Sequence, residues 1–127
     1  MDVRRIPTEP FDDQRPGTAG LRKKVSRFRV PHYLENFLQS VFDAAGDFRG
    51  ATLVAGGDGR YWNAEALERL FRVAAGNGVR RIVVGRQGML STPAASNLIR
   101  LRGAAGGFLL TASHNPGGPD GDFGVKF

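Results

Sequence analysis

The chain has 127 residues, 41% of them hydrophobic and 24% charged, which is enough for one domain with its own core. The absence of cysteine rules out a disulfide framework or a thiolate metal site, and no apolar run approaches the length of a membrane-spanning helix. The net charge of +6 favours anionic partners, but aromatic residues are not interleaved with the basic ones as a nucleic-acid surface requires. The expectation is a cytoplasmic protein with no nucleic-acid and no membrane partner. Its first residues carry no apolar segment of the signal-peptide type.

Residues 1–14 are polar, proline-bearing and without period, and predict a loose N-terminal arm. Basic residues concentrate before Val30: Arg4, Arg5, Arg15, Arg22, Lys23, Lys24, Arg27 and Arg29. A solvated basic face accounts for most of them. Pro16-Gly17-Thr18-Ala19-Gly20 predicts a tight loop, and the residues after it, through Phe28, a strand. Two readings of the loop stand on these residues alone. One is a plain turn opening an edge strand guarded by lysines. The other is a loop that points Thr18 and Arg22 at an anion.

Tyr33, Leu34, Phe37, Leu38, Val41, Phe42 and Ala45 follow helical spacing, with Pro31 in the first turn and Gly46 at the exit. His32 reads as a surface or capping residue. Ala51–Ala55 predicts a strand, followed by the glycine-rich connection Gly56-Gly57-Asp58-Gly59-Arg60. A helix capped by Asn63 then buries Leu67, Leu70, Phe71 and Ala74. Arg81–Gly85 predicts the next strand. Ser91-Thr92-Pro93 signals a further helix, running to about Arg102 and burying Ala95, Leu98 and Leu101 or close neighbours. Gly107–Thr111 predicts a third apolar strand, and Phe123–Phe127 a fourth, reached by a wide return.

Strands alternating with amphipathic helices predict a layered α/β domain, largely parallel, with its last strand antiparallel. The chain stops on an apolar residue of an expected strand, Phe127, with nothing to cover it. The expectation is an incomplete domain spanning 15–127, truncated after the serine-loop strand, with further domains in a longer chain.

The chemistry concentrates where the third strand gives way to Thr111-Ala112-Ser113-His114-Asn115-Pro116-Gly117-Gly118-Pro119-Asp120-Gly121-Asp122. Open α/β sheets bind ligands at the carboxyl ends of their strands, and glycine-rich backbone suits an anion. A hydrolase triad is disfavoured, because His114 is the immediate neighbour of Ser113 and the Gly-x-Ser-x-Gly elbow is absent. The glycines at 56–59 have neither dinucleotide-binding nor Walker order, so a tight turn is the simpler reading. Asp120 and Asp122 are too few for an oxygen cage. Phosphoryl transfer fits better, since it asks for cations and dipoles around a phosphate, and Arg22, Lys126 and loop N–H groups supply them.

The segment from Thr111 to Phe127 resembles the phosphoserine loop of the α-D-phosphohexomutases, most closely their phosphoglucomutase branch. Pro16–Val25 looks like the family's Gly-Thr-Ser-Gly-x-Arg element. Gly56–Arg60 and Gly88–Ala94 resemble further segments in the family's order. The resemblance implies a three-layer α/β/α sandwich with a mixed, mostly parallel sheet. It implies that Ser113 carries the phosphoryl group, that Thr18 and Arg22 face the active site, and that Lys126 and Arg22 assist proton transfer. It places His114 beside the phosphoryl group. It further implies interconversion of glucose 1-phosphate and glucose 6-phosphate, glucose 1,6-bisphosphate as intermediate and activator, and Mg2+ bound to the phosphate on Ser113.

Two departures stand out. Ala19 replaces the serine usual in Gly-Thr-Ser-Gly, with a modest effect expected. The family's Asp-Gly-Asp-Gly-Asp-Arg metal loop, sugar-binding loop and terminal phosphate-binding domain are missing, so this chain alone is expected to be inactive. Two rival expectations are dual specificity for mannose and glucose phosphates, and a non-catalytic truncated domain that binds an anionic partner.

Overall fold

Alternation along β2 (Thr52–Gly57) sets the layers. Leu53 and Ala55 point into one core, while Val54 points into another on the opposite face. β4 (Gly106–Leu110) repeats the pattern: Phe108 and Leu110 share the first core and Leu109 the second. β3 (Arg81–Met89) and β4 flank β2, both parallel to it. Strands buried on both faces read as continuous apolar runs, as Leu53–Ala55 and Phe108–Leu110 do. The computed structural model describes residues 2–127, so Met1 lies outside the described residues.

The larger core takes its helical half from α2 (Tyr33–Ala45) and α3 (Asn63–Gly76), through Leu34, Leu38, Phe42, Leu67, Leu70 and Ala74. The smaller core lies under α4 (Thr92–Leu101), where Ala95 is buried with Leu98 and Ile99 beside it. The result is a three-layer α/β/α sandwich. Ser91 caps α4 as expected, its hydroxyl accepting from the Ala94 N–H at 3.3 Å. Leu101, expected in the core, is 71% exposed, and Ile99 packs there instead.

The last strand is antiparallel, but in a separate ribbon. β1 (Leu21–Lys24) pairs with β5 (Asp122–Val125), Leu21 opposite Val125 and Lys24 opposite Asp122. The ribbon is stitched to the parallel sheet through Leu109 and Lys126, whose backbones exchange two hydrogen bonds of 2.8 Å.

Three local expectations are corrected. The strand expected through Phe28 ends at Lys24, and Val25–Phe28 forms a one-turn helix, α1. Helical spacing buries both Val25 and Phe28, and the Val25 N–H donates to the Gly121 carbonyl at 2.9 Å. Pro31 lies in a turn rather than in α2, because His32 adopts a left-handed φ of 67° immediately before it. Asn63 is the first residue of α3 and not its cap. Trp62 holds the cap position with a φ of 77°, its ring buried against Phe28 and Phe123. Burying a large aromatic ring outweighs the modest gain from a side-chain cap.

Residues 2–14 form no helix or strand; residues 2–7 are exposed, and from Thr8 onward the arm is tied down. Phe11 packs edge-on against Tyr33 at 4.8 Å, Gln14 donates to the Tyr33 carbonyl at 2.6 Å, and Thr8 donates to Asn36 at 2.7 Å. Arg27, one of the clustered basic residues, is paired with Asp13 at 2.9 Å.

Candidate active site

β4 runs out at Leu110, and the chain turns sharply after the buried Ala112. Ser113 is exposed and has a φ of 56°. A left-handed backbone costs a residue with a Cβ roughly 1–2 kcal/mol, so the surrounding structure must hold it. It does so through Thr111. The Thr111 hydroxyl accepts from the Ser113 N–H at 3.1 Å and donates to Asp58 Oδ2 at 2.8 Å. The loop then closes on itself, with the Asn115 N–H donating to the Ala112 carbonyl at 3.0 Å and the Asp122 N–H to the Pro116 carbonyl at 2.7 Å. His114 is exposed beside Ser113.

The ribbon carries the cations. Arg22 stands opposite Gly124, and strand alternation puts Gly124 and Lys126 on one face. A Cβ on Gly124 would strike the Thr111 carbonyl oxygen, and Arg22 Cγ lies 3.2 Å from that position. The stem of Arg22 therefore passes beside the residue two before Ser113. Arg22 Nε is buried without a hydrogen-bond partner.

The Gly17–Gly20 loop folds back through two backbone hydrogen bonds of 3.1 and 3.0 Å, with Thr18 and Ala19 exposed. Gly20 packs so closely on Val125 and Lys126 that a Cβ would lie 2.9 Å from Lys126 Cα. Arg22 and Gly124 thus lie against Thr111, Gly20 packs on Lys126, and Thr18 stands in the exposed loop that opens β1, with Ser113 and His114 following Thr111 along the serine loop.

Sequence reasoning took Asp58 and Arg60 for parts of a turn. The structure gives them a larger part. Arg60 Nε donates to both carboxylate oxygens of Asp58 at 3.0 Å. Its Nη2 donates to the Ser113 carbonyl at 3.0 Å, and its Nη1 to the carbonyls of Asn115 and Asp122 at 3.2 and 3.1 Å. The available signal was an Asp-x-Arg at the carboxyl end of a parallel strand, where ligand loops converge. Burial pushes the Asp58 carboxyl up, but hydrogen bonds from Arg60 and Thr111 outweigh it and hold the group below the usual carboxylate range.

Magnesium finds no ready set of ligands. Among the described residues no group of three or more His, Asp and Glu side chains could hold a metal ion. Asp122 is paired with Lys24 at 3.2 Å and Asp58 with Arg60, and an oxygen on Ser113 is the group expected to reach an ion. These residues do not make a magnesium site.

A serine loop at a strand exit, on a three-layer α/β/α sandwich, defines an α/β domain with a ligand loop at the carboxyl end of its sheet. The chain belongs to the phosphoglucomutase/phosphomannomutase family, since residues 13–127 match the model of its alpha/beta/alpha domain I. It is 56% identical over 127 residues to phosphoglucomutase-1 of Dictyostelium discoideum, covering 98% of this chain and 22% of that protein. It is 58% identical over 133 residues to the cytoplasmic phosphoglucomutase of Pisum sativum, covering 98% and 23%. It is 56% identical over 129 residues to the chloroplastic phosphoglucomutase 1 of Marchantia polymorpha, covering 100% and 20%. The chain therefore spans between 20% and 23% of the length of these relatives. A crystal structure of the Paramecium phosphoprotein pp63/parafusin, a phosphoglucomutase in its open form, superposes with a TM-score of 0.86 at 45% identity. That match covers 94% of this chain and 23% of the other.

Proposed function

We propose that this domain serves a phosphoglucomutase, with Ser113 as the carrier of the phosphoryl group and a glucose phosphate as substrate. The observation that carries the reading is Ser113 itself: exposed, held in a strained backbone, and two residues after Thr111, against which the stem of Arg22 packs. The similarity to proteins named phosphoglucomutase favours glucose over dual specificity.

Phosphoserine 113 passes its phosphoryl group to the free hydroxyl of a sugar phosphate. The Oγ–P bond breaks, a bond from the sugar oxygen to phosphorus forms, and the hydroxyl proton leaves to a base while Oγ is protonated. Glucose 1,6-bisphosphate then reorients, and its other phosphoryl group returns to Ser113. A phosphoserine carries close to two negative charges, which Arg22 and Lys126 would balance. On this reading Lys126 handles the proton, Arg22 holds its charge fixed, and Thr18 and His114 contact the substrate phosphate. An oxygen of phosphorylated Ser113 would be this chain's contribution to holding magnesium, whose charge would help balance the phosphate, and the isolated 127-residue chain is read as inactive. Cytoplasmic placement belongs to the same reading. One relative's name says cytoplasmic and another's chloroplastic.

The test is to incubate the full-length protein with glucose 1,6-bisphosphate and map phosphate by mass spectrometry. Phosphate on Ser113, with turnover lost in Ser113→Ala, is the expected result. Normal turnover on an unmodified serine would overturn the proposal.

A further inference from the structure

We propose that Arg60 is a positioning residue for phosphoryl transfer, acting on the backbone of the serine loop and not on the phosphate. The inference rests on Ser113 being the carrier. Arg60 comes from the β2–α3 connection, 53 residues before Ser113, yet its side chain is only 9% exposed. Nε and Nη2 face Asp58, which meets the positive charge, and the rest of the fork is turned to loop carbonyls. Those carbonyls lie on both limbs of the loop, Ser113 and Asn115 on the outgoing limb and Asp122 on the return.

The Ser113 carbonyl belongs to the residue whose φ is 56°. Fixing that carbonyl from one side, while Thr111 holds the Ser113 N–H from the other, fixes where the Cα–Cβ bond points. A planar guanidinium with donors in a rigid fork can bind a carboxylate and three carbonyls together, whereas an ammonium cannot. Displacing a reacting group by about 1 Å costs on the order of 100-fold in rate, which is the sensitivity the fork protects.

The experiment uses the full-length protein and compares Arg60→Lys, Arg60→Met and wild type. Measured are kcat and KM per folded molecule, thermal midpoint, and the rate of Ser113 phosphorylation from glucose 1,6-bisphosphate. Both variants are expected to lose about 10- to 100-fold in kcat and in labelling rate, with KM changed less than about twofold. Methylguanidinium added to Arg60→Ala should restore part of the rate, and methylammonium none. A purely structural role predicts a lower midpoint with wild-type kcat per folded molecule, and that outcome overturns the inference. Should the Arg60 variants fail to fold, Asp58→Asn keeps Arg60 and weakens its anchor. A drop in its kcat at unchanged KM supports the inference, and wild-type kcat overturns it. If wild-type Ser113 takes up phosphate while Arg60→Lys labels at the same rate, this inference alone falls. If wild-type Ser113 takes up none, the carrier reading falls and this inference with it.

Discussion

Arg22 and Gly124 face each other across the β1–β5 ribbon, and the missing side chain of the glycine is what lets the Thr111 carbonyl lie against them. The serine loop and the cation-bearing ribbon are in contact at that point. Gly124→Ala would push a methyl group into the Thr111 backbone, which cannot swing aside as a flexible side chain would. We expect it to destabilise the protein by about 1–3 kcal/mol, the usual range for overpacking. Urea denaturation of the full-length variant checks the figure.

Ser113 offers a prediction in which stability and function part ways. Its φ of 56° suits glycine better than any residue with a Cβ. Ser113→Gly should therefore be more stable than Ser113→Ala by about 1 kcal/mol, although both lose the hydroxyl and should be equally inactive. Parallel denaturant titrations and turnover assays of the two variants measure this. Equal stability would show that the backbone at 113 relaxes once the hydroxyl is gone.

Asp58 makes the loop sensitive to acid. Its folded carboxyl titrates below the usual range, with burial opposing the shift and the hydrogen bonds from Arg60 and Thr111 prevailing. A depressed folded value means that the stabilisation is fully present above the unfolded value of about 3.9 and is lost as pH falls through the folded one. The stability gap between wild type and Asp58→Asn should thus be constant near neutral pH and shrink below about pH 4. The group is partly exposed, so the gap should be small throughout. Urea midpoints of both proteins across this range test the sign.

Local regularity carried much of the fold into the sequence. The spacing of Leu34, Leu38 and Phe42 marked α2, the run around Val54 marked β2, and Ser91-Thr92-Pro93 marked the start of α4. What failed was tertiary in origin. Val25–Phe28 follows a strand of four residues and turns helical because both of its apolar ends are buried. Trp62 takes a cap position on the strength of its ring contacts. At the candidate site, Ser113 and the two ribbon cations could be read from motifs, since each lies in a compact, recognisable segment. The contribution of Arg60 left only the Asp-x-Arg at the exit of β2 as a local trace, because its bonds to the loop span 53 to 62 residues.

The pairing of Leu21 with Val125 reaches across about a hundred residues, nearly the whole domain. During synthesis β1 leaves the ribosome long before its partner exists, while the β2–β3 and β2–β4 pairs between them close over much shorter spans. Arg22 therefore waits for the last strand of the domain before it shares a face with Lys126. Closing that ribbon is what brings two cations from opposite ends of the domain onto one face.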